Sequence, residues 1–242
     1  MAFSNFQILQ GIFGSIWAVI AIIVGLRIIY KAIQLNRNEL IAVGLTYILI
    51  SSAWWGVVIQ FISYGFFSIK IPDVLYLLIA NIFIPLSLIC WIYAFTEIIT
   101  PFLKKKILII TIIYAAVWEL ILLILLVVKL EWVGTINPAN ILDSSHGNVM
   151  RIFILLAVII FAVTGIYFSI KSMGLEEAEI KWKGRFLLLG WISFTLGALL
   201  DALIKTHTPF SLIITRIILI SSAVEYYLGF FLPTKLKELL IK

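Results

Sequence analysis

The sequence predicts an all-α fold: a polytopic membrane protein built as a bundle of seven transmembrane helices, N-terminus outside and C-terminus in the cytoplasm. Three observations predict it. The chain is 63% hydrophobic and only 12% charged, with a mean hydropathy of +1.17. A soluble domain carries roughly 25% charged residues, and half that cannot cover a water-facing surface. Seven apolar runs each approach the ~20 residues that a helix needs to cross a hydrocarbon core. Finally, lysine and arginine collect in alternate connections, as they do when one side of a bundle faces the cytoplasm. Together these exclude a soluble enzyme, a nucleic-acid binder (despite the net charge of +6) and a secreted disulfide scaffold, since Cys90 is the one cysteine.

The spans read as about 7–30, 40–64, 74–97, 107–128, 150–171, 185–204 and 210–232, in one domain over 1–242. The opening MAFSNFQILQ lacks the basic start of a cleavable signal, so the first run is read as a permanent span. Its small residues Gly11, Gly14, Ser15, Ala18, Ala21 and Gly25 form a packing stripe, because helices in lipid associate through close contact and polar groups. QLNRNE ends it. The second span carries Ser52, Gly56 and Gln60 along one side and ends at SIKIPD. Pro85 kinks the third, which closes on TPFLKKK. A membrane helix tolerates such a kink when its neighbours satisfy the freed carbonyl. The fourth holds Glu119 and leads into the longest connection, 129–149.

After the fifth span, KSMGLEEAEIKWK reads as a helical extension. Glu177 with Lys181, and Glu179 with Lys183, stand four apart with the acid first, the favoured order for helical ion pairs. Residues 172–184 are therefore a candidate docking surface for a cytoplasmic protein partner. The sixth span aligns Gly190, Ser193, Gly197 and Asp201 toward the bundle interior, and the seventh carries Arg216 before Pro233 and a basic tail. Thirteen of the 18 lysines and arginines fall on the side of the tail and five on the other. That bias sets the orientation, and the cell membrane is the expected location. Isoleucine is abundant and lysine outnumbers arginine 13 to 5, as an AT-rich, archaeal genome would give.

Ionisable groups inside a membrane are costly and face a partner or a cavity. Placed by depth, Gln60, Asn81, Glu119, Asp201 and Arg216 share the outer half of the membrane. Arg216 is the deep cation, roughly 10 Å below the outer end of its helix at 1.5 Å per residue. With Trp54, Trp55, Trp118 and Trp191 nearby, they describe an aromatic-walled site for a small or amphiphilic ligand; a dry structural salt bridge is the other reading. Near the cytoplasm, Arg27, Glu97 and Glu225 are candidates for a switch that breaks on activation. No catalytic residues, metal ligands or cofactor are expected. The two histidines, His146 and His207, have only Asp143 and Asp201 near them in sequence, short of the well-spaced set a zinc site needs.

Seven helices in this orientation invite comparison with microbial rhodopsins, but SLIITRIILISSAVEYYLGFF contains no lysine to carry retinal. The stretch from Gly165 to Ala202, GIYFSIKSMGLEEAEIKWKGRFLLLGWISFTLGALLDA, resembles the hairpin of helices 5 and 6 in the seven-helix sensor modules of histidine kinases and related archaeal membrane proteins. YYLGFFLPTKLKELL is similar to their last helix with its proline and basic tail. The resemblance implies a stand-alone receptor-like or sensor protein that signals through a separate cytoplasmic partner. A small-solute transporter or channel coupled through Glu119, and a non-catalytic subunit or scaffold of a membrane complex, are the alternatives.

Overall fold

The computed structural model describes residues 3–204 and 208–241. His207, and Lys205 and Lys242 among the basic residues counted above, lie outside the described residues. Among the described residues seven helical segments are long and apolar enough to cross a membrane, which makes this a multi-pass membrane protein.

The first segment is α1 (Asn5–Leu35). Ser4 and Gln7 cap each other's backbone N–H groups at its start, and Asn36 ends it in the left-handed conformation at φ 56°. The second segment is α2 (Asn38–Ile50) and α3 (Trp55–Phe67), joined through a tight 3-10 turn over Ser51–Trp54. That interruption was not expected. The Ser51 hydroxyl donates back to the Ile48 carbonyl at 2.7 Å and accepts from Trp55 Nε1 at 3.0 Å. A serine bonded to its own helix in this way perturbs the helical ladder. The third segment is α4 (Asp73–Ile82) and α5 (Ile84–Ile99), which break at Phe83, two residues ahead of Pro85.

The fourth is α6 (Lys104–Val128), preceded by a short turn at Pro101–Leu103. The fifth, sixth and seventh are α7 (Asn148–Met173), α8 (Ala178–Leu203) and α9 (Pro209–Phe230), followed by the short α10 (Thr234–Leu240). Between α6 and α7, within the long connection 129–149, the chain forms a β-hairpin, β1 (Gly134–Asn137) and β2 (Asn140–His146). The strands are antiparallel, pairing Gly134 with His146 and Ile136 with Ser144.

Six of the spans close into a ring. α1 packs on α2, α2 on α5, α5 on α7, α7 on α8, α8 on α9, and α9 returns to α1. α6 stands outside this ring against α4 and α5. Small residues set the closest crossing: a Cβ on Gly25 would sit 2.6 Å from the Gly44 carbonyl oxygen, and one on Gly44 would sit 2.6 Å from the Gly25 oxygen. Only glycine at both positions allows α1 and α2 to meet backbone to backbone. A continuous core of buried aromatics then fills the ring, with Trp17, Trp91, Phe161 and Tyr226 among the most buried. At one end of the bundle lies the hairpin; at the other lies α10.

Candidate functional site

The site is assembled at the hairpin end, where three elements converge on one carboxylate. Asp201, near the C-terminus of α8, accepts on Oδ2 a hydrogen bond from Arg216 Nη1 of α9 at 2.8 Å. The same oxygen accepts from Trp54 Nε1 of the 3-10 turn at 2.5 Å. The turn at Ser51–Trp54 is what aims that indole inward. Arg216 is 3% exposed, and its guanidinium carbon lies 5.7 Å from the centre of the Trp54 ring. Charge pairing, hydrogen bonding and a cation–π contact therefore hold the guanidinium in one place.

The hairpin covers this cluster and is tied down through its backbone by three helices. Gln10 of α1 donates Nε2 to the Leu142 carbonyl at 3.0 Å and accepts from Asn140 Nδ2 at 2.9 Å. Tyr76 of α4 donates its hydroxyl to the same Leu142 carbonyl at 3.3 Å. Arg151 of α7 donates Nη2 to the His146 carbonyl at 2.7 Å. Leu142, fully buried, plugs the hairpin into the bundle.

Between hairpin and ring lies a cavity of about 100 Å³. That is several times the room that one water needs. Its polar lining is Gln10, Asn81, Asp143, His146, Asp201 and Arg216. Its apolar lining includes Leu142 of the hairpin and, from the helices, Ile50, Val57, Ile154, Val158, Phe161 and Phe194. Burial pushes the His146 imidazole down to about 4, with Asp201 opposing the shift and Arg151 adding to it, so His146 is neutral at neutral pH. A smaller void of about 10 Å³ lies deeper, against Tyr47, Trp191 and Tyr226, and Ile50 and Phe194 line both spaces. Beside it Tyr47 stacks on Tyr226, ring centres 4.4 Å apart, and Tyr47 shares a 3.4 Å hydrogen bond with Ser222.

Of the sequence-predicted ligand residues, the cavity gathers Asn81, Asp201, Arg216 and Trp54. The other five do not line it. Gln60 is buried and accepts on Oε1 from the Ile71 amide at 3.1 Å, closing the connection between α3 and α4. Trp55 donates to Ser51 and packs against Phe83. Trp118 is buried against Tyr114 and Phe153. Trp191 sits in the aromatic core with Trp91 and Phe161. Glu119 lies on the peripheral α6, half-buried. Sequence reasoning missed Gln10, Asp143, Ser144, His146, Phe161 and Phe194 as lining residues. Four of these depend on the hairpin or its contact to α1, which no apolar periodicity announces. Among the described residues no group of three or more His, Cys, Asp or Glu is placed to hold a metal ion.

At the other end the expected switch is not one cluster. Arg27 donates to the Tyr227 hydroxyl at 3.3 Å, while Glu97 pairs with Lys104 across the turn that joins α5 and α6. Glu225 is half-buried on α9, and one of its oxygens has no hydrogen-bond partner among the described residues. The expected helical extension forms only in part: α7 ends at Met173, α8 begins at Ala178, and residues 174–177 turn between them, while Glu179 pairs with Lys183 at 2.7 Å. The expected pair of Glu177 and Lys181 does not form, because Glu177 is the residue that caps α8 rather than one within it. The surface at 172–184 is partly covered by α10: Lys237 pairs with Glu179, and Trp182 Nε1 donates to the Leu240 carbonyl at 3.1 Å.

No family model, curated protein or solved structure matches this chain.

Proposed function

We propose that the protein is a receptor-like membrane sensor that binds a small amphiphilic ligand in the cavity under the hairpin and signals through a separate partner at the opposite end. The observation that carries this reading is the cavity itself, which sets polar groups such as Asp143, His146 and Arg216 beside apolar ones such as Phe161 and Phe194. A ligand with a polar head and a short apolar tail matches that combination, and concave, mostly apolar spaces with a few convergent polar groups are what small-molecule sites look like.

Occupancy has a physical route to the far end. Asp201 joins the 3-10 turn, α8 and α9 through one oxygen. A ligand group that competes for either donor changes how those elements are held together. A tail that presses on Phe194 presses on a residue that also walls the Tyr47, Trp191 and Tyr226 void. α8 and α9 then run to the end where α10 stands on Glu179 and Trp182. The ligand shifts this equilibrium only by its differential affinity for the two arrangements.

The test is thermal stability in nanodiscs with a series of C6 to C10 alkyl carboxylates, amines and alcohols. A ligand at a hundred times its Kd stabilises by about 2.7 kcal/mol, so one head group should raise the melting temperature in a saturable manner. Ala198→Phe, which fills the cavity, should abolish the rise. A series in which no member stabilises the natural chain more than Ala198→Phe would sink the reading.

A further inference from the structure

We propose that the outward face of α6 around Glu119 is an interaction surface for a transmembrane helix of another membrane protein, one that carries a lysine or arginine at the same depth. This does not depend on the ligand cavity, which Glu119 does not line.

α6 is the span that the ring leaves outside, and its most apolar stretch is only 22% buried, the lowest of the seven. Its inward stripe is Thr111, Ala115, Trp118, Leu122 and Leu126. Glu119 stands on the flank of that stripe with exposed neighbours: Ile112 one side of it along the helix, Leu120 and Leu123 on the other. Glu119 makes no hydrogen bond or ion pair with any described residue. It is nine residues from the end of α6 at Val128, roughly 14 Å along the axis, so its short side chain cannot reach an aqueous interface. A carboxylate at that depth is costly without a partner. Protonation does not remove the need, because a carboxylic acid in hydrocarbon still has a donor and an acceptor to satisfy. Exposed Ala116, one turn before Glu119, provides the small residue that lets a second helix approach closely.

The chemistry selects the occupant. Among the described residues a second copy of this chain offers no free cation at that depth: Arg27 and Lys31 lie in the last third of α1, toward the opposite end of the bundle, Arg216 is 3% exposed and bound to Asp201, and Arg151 sits in the first turn of α7 bound to the His146 carbonyl. The outward or half-buried hydroxyls of Ser15, Thr195 and Ser221 already donate to carbonyls of their own helices. The remaining match for an unpartnered acid is a basic side chain brought by a different polypeptide.

The experiment uses the full chain in lipid vesicles, with Cys90→Ala and a donor fluorophore on Lys235→Cys. The acceptor is carried by a synthetic 21-residue Leu/Ala transmembrane peptide with one central lysine, or with leucine in its place. We expect energy transfer to report association about fivefold stronger for the lysine peptide, the size that interhelical polar contacts reach in bilayers. Glu119→Gln and Glu119→Leu should remove the preference, and Ala116→Phe should weaken it while leaving the carboxylate in place. Equal association of the two peptides overturns the proposal, as does a preference that survives Glu119→Leu. Energy transfer between copies of the chain that depends on Glu119, without any peptide preference, assigns the surface to self-association and also overturns it.

Discussion

The contact between Arg216 and Asp201 ties α9 to α8 through one largely buried ion pair. Arg216 is the buried member, with 4% of its side chain exposed against 17% for Asp201. Removing one member of a buried ion pair costs about 3–5 kcal/mol, and the partial exposure of Asp201 places Arg216→Gln at the low end, about 3 kcal/mol. Asp201→Asn keeps an oxygen to accept from Trp54 Nε1 but leaves Arg216, the more buried member and always charged, without its counter-charge, so it should cost at least as much as Arg216→Gln. Unfolding of the two variants in mixed micelles would measure both; equal stability of Arg216→Gln and the natural chain would show that the pair does not hold the site. These two residues were legible in the sequence because a charge inside an apolar run stands out and must have a partner. Glu119 stood out for the same reason, yet the sequence brought it to the wrong place. Spacing along one helix gives a depth, but it does not say which neighbour that face meets. Trp55, Trp118 and Gln60 likewise do not line the cavity.

Among the elements, the seven spans were legible because a hydrocarbon core imposes a minimum length and forbids unpaired backbone groups. The hairpin was not, because nothing of the kind constrains a connection outside the membrane. Its strands are four and seven residues long, and its buried positions, Gly134, Leu142 and Asp143, are not an alternating apolar set. It is held by side chains from distant helices reaching its backbone, which a linear reading does not show. The same arrangement makes it sensitive to acid. His146 titrates near 4 where it sits, against about 6.5 for a free imidazole. A hairpin that swings away from the bundle returns the ring to water and to its ordinary value. The open state therefore binds more protons between those limits, and stability of the closed state rises with pH across that window. The contribution is fully present above pH about 6.5 and is lost as pH falls toward 4. Hydrogen exchange at residues 134–146 in nanodiscs, corrected for the intrinsic rate, should accelerate from pH 7 to pH 4.5. His146→Gln should flatten that dependence, leaving whatever Asp143 and Asp201 contribute. An identical pH profile in His146→Gln would remove the histidine from the account.

For the whole molecule the deciding question is which end faces the cell interior. The fold puts Arg27, Arg37, Lys104–Lys106, Lys171, Lys181 and Lys183 with α10 at one end of the bundle, and the hairpin at the other. Basic residues in short connections are retained in the cytoplasm, and thirteen against five is a wide margin. The hairpin and its cavity are therefore expected to face outward and α10 to face the cytoplasm, as an outside ligand and an inside partner both require. A membrane-impermeant maleimide on intact cells tests this in a Cys90→Ala background. Glu131→Cys, next to the hairpin, should label without permeabilisation, and Lys235→Cys on α10 should label only after it. The reverse pattern would turn the cavity toward the cytoplasm. The sensor reading would then need a metabolite as its ligand and an extracellular or membrane-embedded partner. The helix that we expect to meet Glu119 would be unaffected, since its position depends on depth and not on sidedness.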